Sequence, residues 1–310
     1  MTETATPDIV DDGYARCERI AAHDKPHLFT ASRQFAYAET RRAFASTYAS
    51  MRLVDDFVDN IPHRRSLAPE ARLAADHHIA DWLRLVRQAH EGKPADSSIW
   101  HALADTFARF DLPLEPWQNL AAAMRSDLAT PFFRDWDHLR RYMEGASVAP
   151  AVVFMHLVLM RPEGPEGRFV APWPYEEVHA ATADLAIFCY WVHILRDVAV
   201  DLTLGQDGLI YLPLADLQAF DLAPSDLYAM TEAGEASTVY RRLAGFLAER
   251  AHAHLAIGQQ HLARVLQIAP AGNTTALERL VNTYVDVLRG LSEVEFDVFR
   301  PRNAPTPPVD

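Results

Sequence analysis

The chain has 310 residues, of which 49% are hydrophobic and 23% are charged. This composition excludes disordered, collagen-like and disulfide-scaffold proteins, because the chain can bury a large core and holds only two cysteines, Cys17 and Cys189. The formal net charge of −13 argues against nucleic acid as a partner, since such binding needs basic surface that displaces counterions. A reducing cytoplasm is the simplest location for a chain with so few cysteines.

Apolar residues recur at three- and four-residue spacing along most of the chain, which predicts a series of helices. The predicted helices cover residues 13–22, 38–60, 67–91, 97–110, 115–128, 136–160, 175–203, 236–267 and 274–299. The longest apolar stretches fall short of the roughly 20 residues that a membrane span needs, so no transmembrane segment is predicted. We expect an all-α fold with one helical domain over residues 13–300, a flexible N-terminal segment at residues 1–12 and a flexible tail at residues 301–310.

The predicted helix at residues 38–60 carries two carboxylates near its end. Asp55 and Asp59 are four residues apart, so their side chains share one helix face, and Arg52 lies one turn earlier. Two carboxylates at this spacing repel each other unless positive charge lies between them, and Mg²⁺ prefers oxygen ligands. The pair is therefore a candidate magnesium site. The alternative is a solvated acidic patch near a helix end.

The predicted helix at residues 175–203 carries a second pair at the same spacing. Asp197 and Asp201 share one face, His193 lies one turn earlier and Arg196 is adjacent. The segment before them is apolar on nearly every side, which indicates a buried helix. Charges at the end of such a helix need partners, because unpaired buried charge is costly. They form either a structural ion pair with neighbouring helices or a functional site.

The two aspartate pairs together point to diphosphate chemistry. They lie ~140 residues apart, and helices that distant in sequence can face each other across a bundle. Metal ions held by four carboxylates, with arginines nearby, would trap a diphosphate and allow a carbon–oxygen bond to break. The apolar interior would hold the resulting carbocation. A basic protein surface is then unnecessary, because the metals carry the positive charge.

At these residues the sequence resembles the squalene/phytoene synthase family, the head-to-head trans-prenyl-diphosphate synthases. The segment YASMRLVDDFVD at residues 48–59 is similar to the first aspartate-rich motif of that family. The segment ILRDV at residues 194–198, followed by Asp201 and by IYLPL at residues 210–214, is similar to the second motif and the loop after it. The resemblance covers roughly residues 15–300.

The resemblance implies an isoprenoid-synthase-type helical bundle with a central apolar cavity, Mg²⁺ dependence, and coupling of two prenyl diphosphates through a cyclopropylcarbinyl diphosphate. By matching position, the metal-linked catalytic residues would be Asp55, Asp59, Asp197 and Asp201. Arg52 and Arg196 would contact diphosphate, and Tyr48 and Tyr284 would line the site.

The chain departs from the family pattern at the metal and phosphate end. His193 stands where the family usually has Asn, and Tyr190 stands where it usually has Gln. Val200 and Leu209 replace an acidic residue and an arginine. A histidine nitrogen suits Mg²⁺ less well than an amide oxygen, so we expect His193 to contact diphosphate or to transfer a proton. The alternative is a histidine that is satisfied by its neighbours.

A stretch of small residues at positions 145–151 matches a region where the family lets an isoprenoid chain pass close to a helix backbone. The alternative role for such residues is close helix–helix packing. Pro150 should kink this helix, because it removes a hydrogen bond and its ring clashes with the carbonyl one turn back.

The expected function is a Mg²⁺-dependent prenyltransferase that condenses two farnesyl or geranylgeranyl diphosphates head to head. The product would be of the squalene, dehydrosqualene or phytoene type, with release of diphosphate. The altered motif residues leave open an enzyme that ionises a single prenyl diphosphate, either cyclising it as a terpene synthase or transferring it to an acceptor such as an aromatic ring. A non-catalytic helical assembly protein is the third alternative. We expect the enzyme in the cytoplasm, with peripheral contact at a membrane surface left open because the product is oily.

Overall fold

A computed structural model of the chain describes residues 7–24, 26–62, 64, 66–129, 132–163, 165–203 and 210–300. Regular structure in these ranges is helical, and the β-structure there is limited to two isolated bridges. The all-α prediction is therefore confirmed. The helices are α1 (Pro7–Asp24), α2 (Pro26–Ser32), α3 (Ala38–Asp59), α4 (Pro69–His90), α5 (Ser98–Arg109), α6 (Glu115–Asp127), α7 (Trp136–Met143), a π-helical segment (Glu144–Val148), α8 (Ala149–Leu159), a 3₁₀ turn (Pro165–Gly167), α9 (Tyr175–Thr203), α10 (Leu214–Ala219), α11 (Pro224–Ala233), α12 (Thr238–Ile268) and α13 (Ala271–Glu293).

The N-terminal helix is longer than the sequence pattern predicts. Residues 7–12 belong to α1 rather than to a flexible segment, whereas residues 1–6 and 301–310 lie outside the described residues. A proline is well tolerated at the first helical position, since the N–H it lacks would have no partner within the helix. Helix α1 packs against α3 and α5, and the Tyr14 hydroxyl donates to Asp105 at 2.9 Å. These contacts explain why the helix holds its first turns.

Three further helices and one helix end differ from the prediction. Helix α2 lies between residues 22 and 38, and helices α10 and α11 lie between residues 203 and 236, where the sequence predicts no helix. Helix α13 ends at Glu293 rather than at residue 299, because Glu295 and Phe296 adopt positive φ angles of 51° and 58° that no helix continues. Below this turn the buried Asp297 accepts a hydrogen bond from the Ala236 backbone N–H at 2.9 Å.

The predicted helix at residues 136–160 is continuous but widens into a π turn at Glu144–Val148. Pro150 has no N–H to offer the carbonyl of Ala146, and in a regular α-helix its ring would clash with that carbonyl. The wider turn relieves this clash, as π-bulges inside α-helices do. Gly145 lies against α6, where a Cβ atom would stand 2.2 Å from the backbone oxygen of Asn119. The expected kink is thus a π turn that also needs a glycine for helix packing.

Helix α9 runs through the middle of the bundle. It packs against α12 and α13 on one side and against α8 and the π segment on another. Helix α3 packs against α1, α5, α6 and α8. The run Trp136–Leu159 is long and apolar enough to cross a membrane by length and composition alone, but 72% of its apolar window is buried inside the protein. That burial is what a core helix of a bundle shows.

Candidate active site

A cavity of about 750 Å³ lies inside the bundle, between α3, α8, α9 and α13. This volume falls within the usual range for small-molecule sites. The cavity matches the central apolar cavity that the resemblance implies. Its apolar wall includes Phe44, Met51, Leu120, Val153, Phe154, Met155, Leu185, Leu277, Leu280 and Val281.

The polar part of the cavity wall holds most of the residues singled out from the sequence. Seven of the nine predicted site residues line the cavity, namely Tyr48, Arg52, Asp55, Asp59, His193, Asp201 and Tyr284. The first motif and the last residue of the second motif therefore face one interior, although they lie on α3 and α9. Arg196 and Asp197 are absent from the described lining residues.

Two buried tryptophans fix the helix that carries the first motif. The Trp82 indole donates to the backbone oxygen of Ser50 at 2.8 Å, and the Trp117 indole donates to the Ser50 hydroxyl at 3.0 Å. Val54 and Val58 are fully buried on the neighbouring face of α3. These anchors leave α3 little freedom to rotate, so its acidic face stays directed at the cavity.

The carboxyl group of Asp55 has a strongly raised pKa. Burial and the nearby Asp59 carboxylate raise the pKa of Asp55 to about 7, although the Arg52 guanidinium opposes them. Arg52 forms ion pairs with both Asp55 and Asp56. The repulsion between Asp55 and Asp59 is the electrostatic signature of a site that would be stabilised by an added cation.

The second motif is held by contacts among its own residues. The Arg196 side chain donates to Asp197, with an Nε to Oδ1 distance of 2.8 Å, and His193 Nε2 lies 3.3 Å from Asp197 Oδ2. Tyr284 lines the cavity and is electrostatically coupled to Arg196 and Asp197. Asp197 is thus held by Arg196 and by His193, and His193 itself lines the cavity.

A buried polar cluster forms a further part of the wall. The Tyr142 hydroxyl donates to Asp127 at 2.9 Å and is hydrogen-bonded to Tyr190, and Tyr211 lies nearby, with its ring centroid 6.1 Å from that of Tyr142. Burial is the main cause that raises the pKa of both Tyr142 and Tyr190. The Tyr190 ring also stacks on His193, with centroids 5.9 Å apart and planes at 9°. Two of the four departures from the family pattern, Tyr190 and His193, thus share one surface of the cavity.

Sequence reasoning missed Arg64 and Asp127 as site residues. Arg64 lines the cavity five residues after the first motif and forms an ion pair with Asp59. The only sequence signal for it was a run of basic residues directly after an acidic motif. Asp127 ends α6 and is 3% exposed, and nothing in its local sequence marks it as part of a cavity.

The small-residue stretch contributes directly to the cavity. Ala146, Ser147, Pro150 and Ala151 line it, and the Ser147 hydroxyl donates to the backbone oxygen of Ala186 at 3.0 Å. Gly145, by contrast, serves the packing against α6. The stretch therefore combines both roles that the sequence left open.

The donor set suits a magnesium ion. No group of three or more His, Cys, Asp or Glu side chains that could hold a metal occurs within the described part of the chain. Mg²⁺ does not require such a cage, because it is usually bound by one or two carboxylates together with water and substrate phosphate oxygens. Asp55, Asp59 and Asp201 supply carboxylate oxygens in one cavity, and the Asp59 carboxylate adds to burial in raising the pKa of Asp55. These residues fit the ion.

Comparison with known proteins relates the chain to phytoene synthases. A family profile described as squalene/phytoene synthase matches residues 22–309. Phytoene synthase of Arthrospira platensis is 28% identical over 305 residues, which cover 96% of this chain and 89% of that protein. The chloroplastic phytoene synthase 2 of Oryza sativa subsp. japonica is 29% identical over 220 residues, or 71% of this chain and 50% of that protein. The chain thus spans about half of the rice protein.

Two solved structures have the same fold. Squalene synthase HpnC from Alicyclobacillus acidocaldarius has a TM-score of 0.74 at 22% identity, covering 94% of this chain and 97% of that chain. A dehydrosqualene synthase in complex with a ligand has a TM-score of 0.74 at 19% identity, covering 95% and 91%. Because the family profile matches most of the length of this chain, the chain belongs to the squalene/phytoene synthase family and is a prenyltransferase of isoprenoid biosynthesis.

Proposed function

We propose that the protein is a Mg²⁺-dependent enzyme that condenses two farnesyl or geranylgeranyl diphosphates head to head. The coupled cation loses a proton to give a dehydrosqualene- or phytoene-type hydrocarbon, or takes a hydride from a nicotinamide donor to give a squalene-type hydrocarbon, and two diphosphates are released. One observation carries this proposal: a single cavity joins a long apolar wall to the carboxylates of both aspartate motifs. The names of the relatives, phytoene synthases and a dehydrosqualene synthase, support the same reaction class.

The residues of the polar wall have separate roles, some in binding metal ions and others in binding diphosphate. Asp55, Asp59 and Asp201 would hold the metal ions, and Asp197 contacts His193 of the same cavity wall. When bound, Mg²⁺ supplies positive charge that stabilises the departing diphosphate. Arg52 adds a fixed guanidinium on the same face of α3, and guanidinium groups match phosphate oxygens in geometry.

The apolar wall orients the prenyl chains and excludes water. The phenylalanines, leucines and valines of α3, α8 and α13 offer no nucleophile to an allylic cation. The small residues at the π turn let a chain pass close to the backbone. Holding two prenyl groups side by side turns coupling into an effectively intramolecular step, which lowers its entropic barrier.

A second candidate function is ionisation of a single prenyl diphosphate, followed by cyclisation or transfer to an acceptor without diphosphate. The observation that favours it is the second motif itself. His193 and Arg196 both contact Asp197, and Tyr190 stacks on His193. These contacts reduce the number of carboxylates that are free to bind metal on α9.

Incubation of the purified protein with Mg²⁺ and each prenyl diphosphate tests both candidates. Mass analysis of the organic extract should reveal a C30 or C40 hydrocarbon. A product with the carbon skeleton of one prenyl chain would support the second candidate instead. The Asp55→Asn variant is the control, and it should release no diphosphate. Absence of turnover by the wild type with every chain length would leave only a non-catalytic assembly role.

We further propose that the enzyme works in the cytoplasm, where peripheral contact with a membrane would let the oily product leave. Fractionation of cells that express the chain tests this location. The protein should appear in the soluble fraction or be released from membranes by salt. Release by detergent alone would contradict the proposal.

A further inference from the structure

Arg64 is a buried cation in the wall of the cavity. It lies between α3 and α4, is 6% exposed and lines the cavity beside Asp59. One of its terminal nitrogens, Nη1, donates to the Asp59 carboxylate. Burial would favour the neutral form, but Asp127, Tyr211 and Asp59 act together to raise the pKa of Arg64 above its usual value. The group therefore keeps its charge inside the protein.

The hydrogen bonding of Arg64 is incomplete. Its Nε is buried and has no hydrogen-bond partner among the described residues. The ion pair is also asymmetric, because the Asp59 side chain is 46% exposed whereas that of Arg64 is 7% exposed. A buried N–H without an acceptor is costly, and an arginine that served only as the partner of Asp59 would not need to place its guanidinium in the interior. An anion that enters the cavity would supply the missing acceptor.

We infer that Arg64 binds the diphosphate of the prenyl substrate in the same cavity that Arg52 lines. This inference rests on the proposed function. A guanidinium has five N–H donors in a planar fork, so Arg64 can keep its bond to Asp59 while Nε and Nη2 contact diphosphate oxygens.

Isothermal titration with two probes tests this role. The probes are farnesyl S-thiolodiphosphate, which cannot ionise readily, and farnesol, which has the same chain without phosphate. In the presence of Mg²⁺, Arg64→Gln should weaken binding of the thiolodiphosphate by ~10- to 100-fold, as expected for a lost charge-assisted hydrogen bond. Binding of farnesol should stay within about twofold of the wild type, because the apolar wall is unchanged.

Two further variants separate a contact from a structural role. Arg64→Lys keeps the charge but loses the fork, so its affinity for the thiolodiphosphate should lie between those of the wild type and Arg64→Gln. Arg125→Gln is the matched control, since Arg125 pairs with Asp76 on the outside of the bundle, and it should bind both probes as the wild type does.

The binding data separate a diphosphate contact by Arg64 from a purely structural role. Equal binding of the thiolodiphosphate by the wild type and Arg64→Gln would overturn the inference and leave the proposed function intact. If Arg64→Gln and Arg64→Lys both fail to bind either probe and both unfold at a lower temperature than the wild type, then Arg64 only supports the fold. A wild type that binds farnesol but not the thiolodiphosphate would overturn the proposed function itself.

Discussion

Replacing Asp55 by Asn should stabilise the metal-free protein at alkaline pH while it abolishes activity. In the folded protein the Asp55 carboxyl keeps its proton up to a pKa of about 7, whereas in the unfolded chain it ionises near 3.8. Between pH 3.8 and about pH 7 the folded protein therefore binds one more proton, on Asp55, than the unfolded chain does. Wild-type stability therefore falls as the pH rises through this window, and above pH 7 the favourable contribution is lost.

The size of the effect follows from the same pKa. A rise of about 3 in pKa corresponds to about 4 kcal/mol. The Asp55 side chain is 35% exposed, so solvent screening reduces the effect to about 1–2 kcal/mol. Asn resembles the protonated carboxyl and can still accept a hydrogen bond from Arg52. The variant should therefore match the wild type near pH 4 and exceed its free energy of unfolding by about 1–2 kcal/mol at pH 8.

Urea unfolding in EDTA at pH 4.5 and pH 8, followed by circular dichroism, measures this difference. Asp81→Asn is the control, since Asp81 is an exposed partner of Arg84 on α4 and should show little difference at either pH. The reasoning is refuted if Asp55→Asn is less stable than the wild type at pH 8 in EDTA, or if the difference between them does not change with pH.

Three other predictions follow from the structure. Mg²⁺ binding should release protons below pH 7 and almost none above pH 8, because the Asp55 carboxyl must lose its proton before it can bind the ion. Titration calorimetry in buffers of different ionisation enthalpy measures the number of protons released. A number that does not change with pH would contradict this prediction. Gly145→Ala should lower the free energy of unfolding by about 1–3 kcal/mol, because the added Cβ would meet a backbone oxygen of α6. Gly245→Ala on α12 is the control: its Cβ would meet open space, so it should raise the free energy of unfolding by about 0.5–1 kcal/mol. Urea denaturation of the two variants measures the difference. Asp297→Ala should cost about 2–3 kcal/mol at neutral pH, because it leaves the buried backbone N–H of Ala236 without its acceptor and removes the buried carboxylate partner of Arg241. Burial tends to raise the pKa of Asp297, but its hydrogen bonds and arginines lower it on balance, so this cost should shrink as the pH falls through the range where the carboxylate is protonated.

The long helices and the first motif were predictable because their signals are local. Helix α3 buries Val54 and Val58 on one face and carries Asp55 and Asp59 beside them, which is a pattern that three- and four-residue spacing reveals. The same reasoning located α9, whose apolar residues are buried along most of its length. Helices α10 and α11 escaped prediction because six and ten residues are too few for a clear periodicity.

The remaining part of the site depends on contacts that no local pattern encodes. Asp127 and Arg64 influence each other across a separation of 63 residues, and tertiary packing, including that of α6 against α3, brings them to one cavity. Arg196 and Asp197 are neighbours in sequence, and neighbours on a helix do not normally face each other. The long arginine side chain nevertheless folds back onto Asp197, so the sequence spacing alone did not predict their ion pair.

A crystal structure of the protein with Mn²⁺ and farnesyl S-thiolodiphosphate tests the central claim most directly. We expect anomalous density for Mn²⁺ beside Asp55 and Asp59, diphosphate density at the same end of the cavity, and a prenyl chain that runs along α8 past Ala151. A probe bound outside the bundle, or one whose diphosphate lies at the apolar end while the aspartates bind no metal, would contradict it.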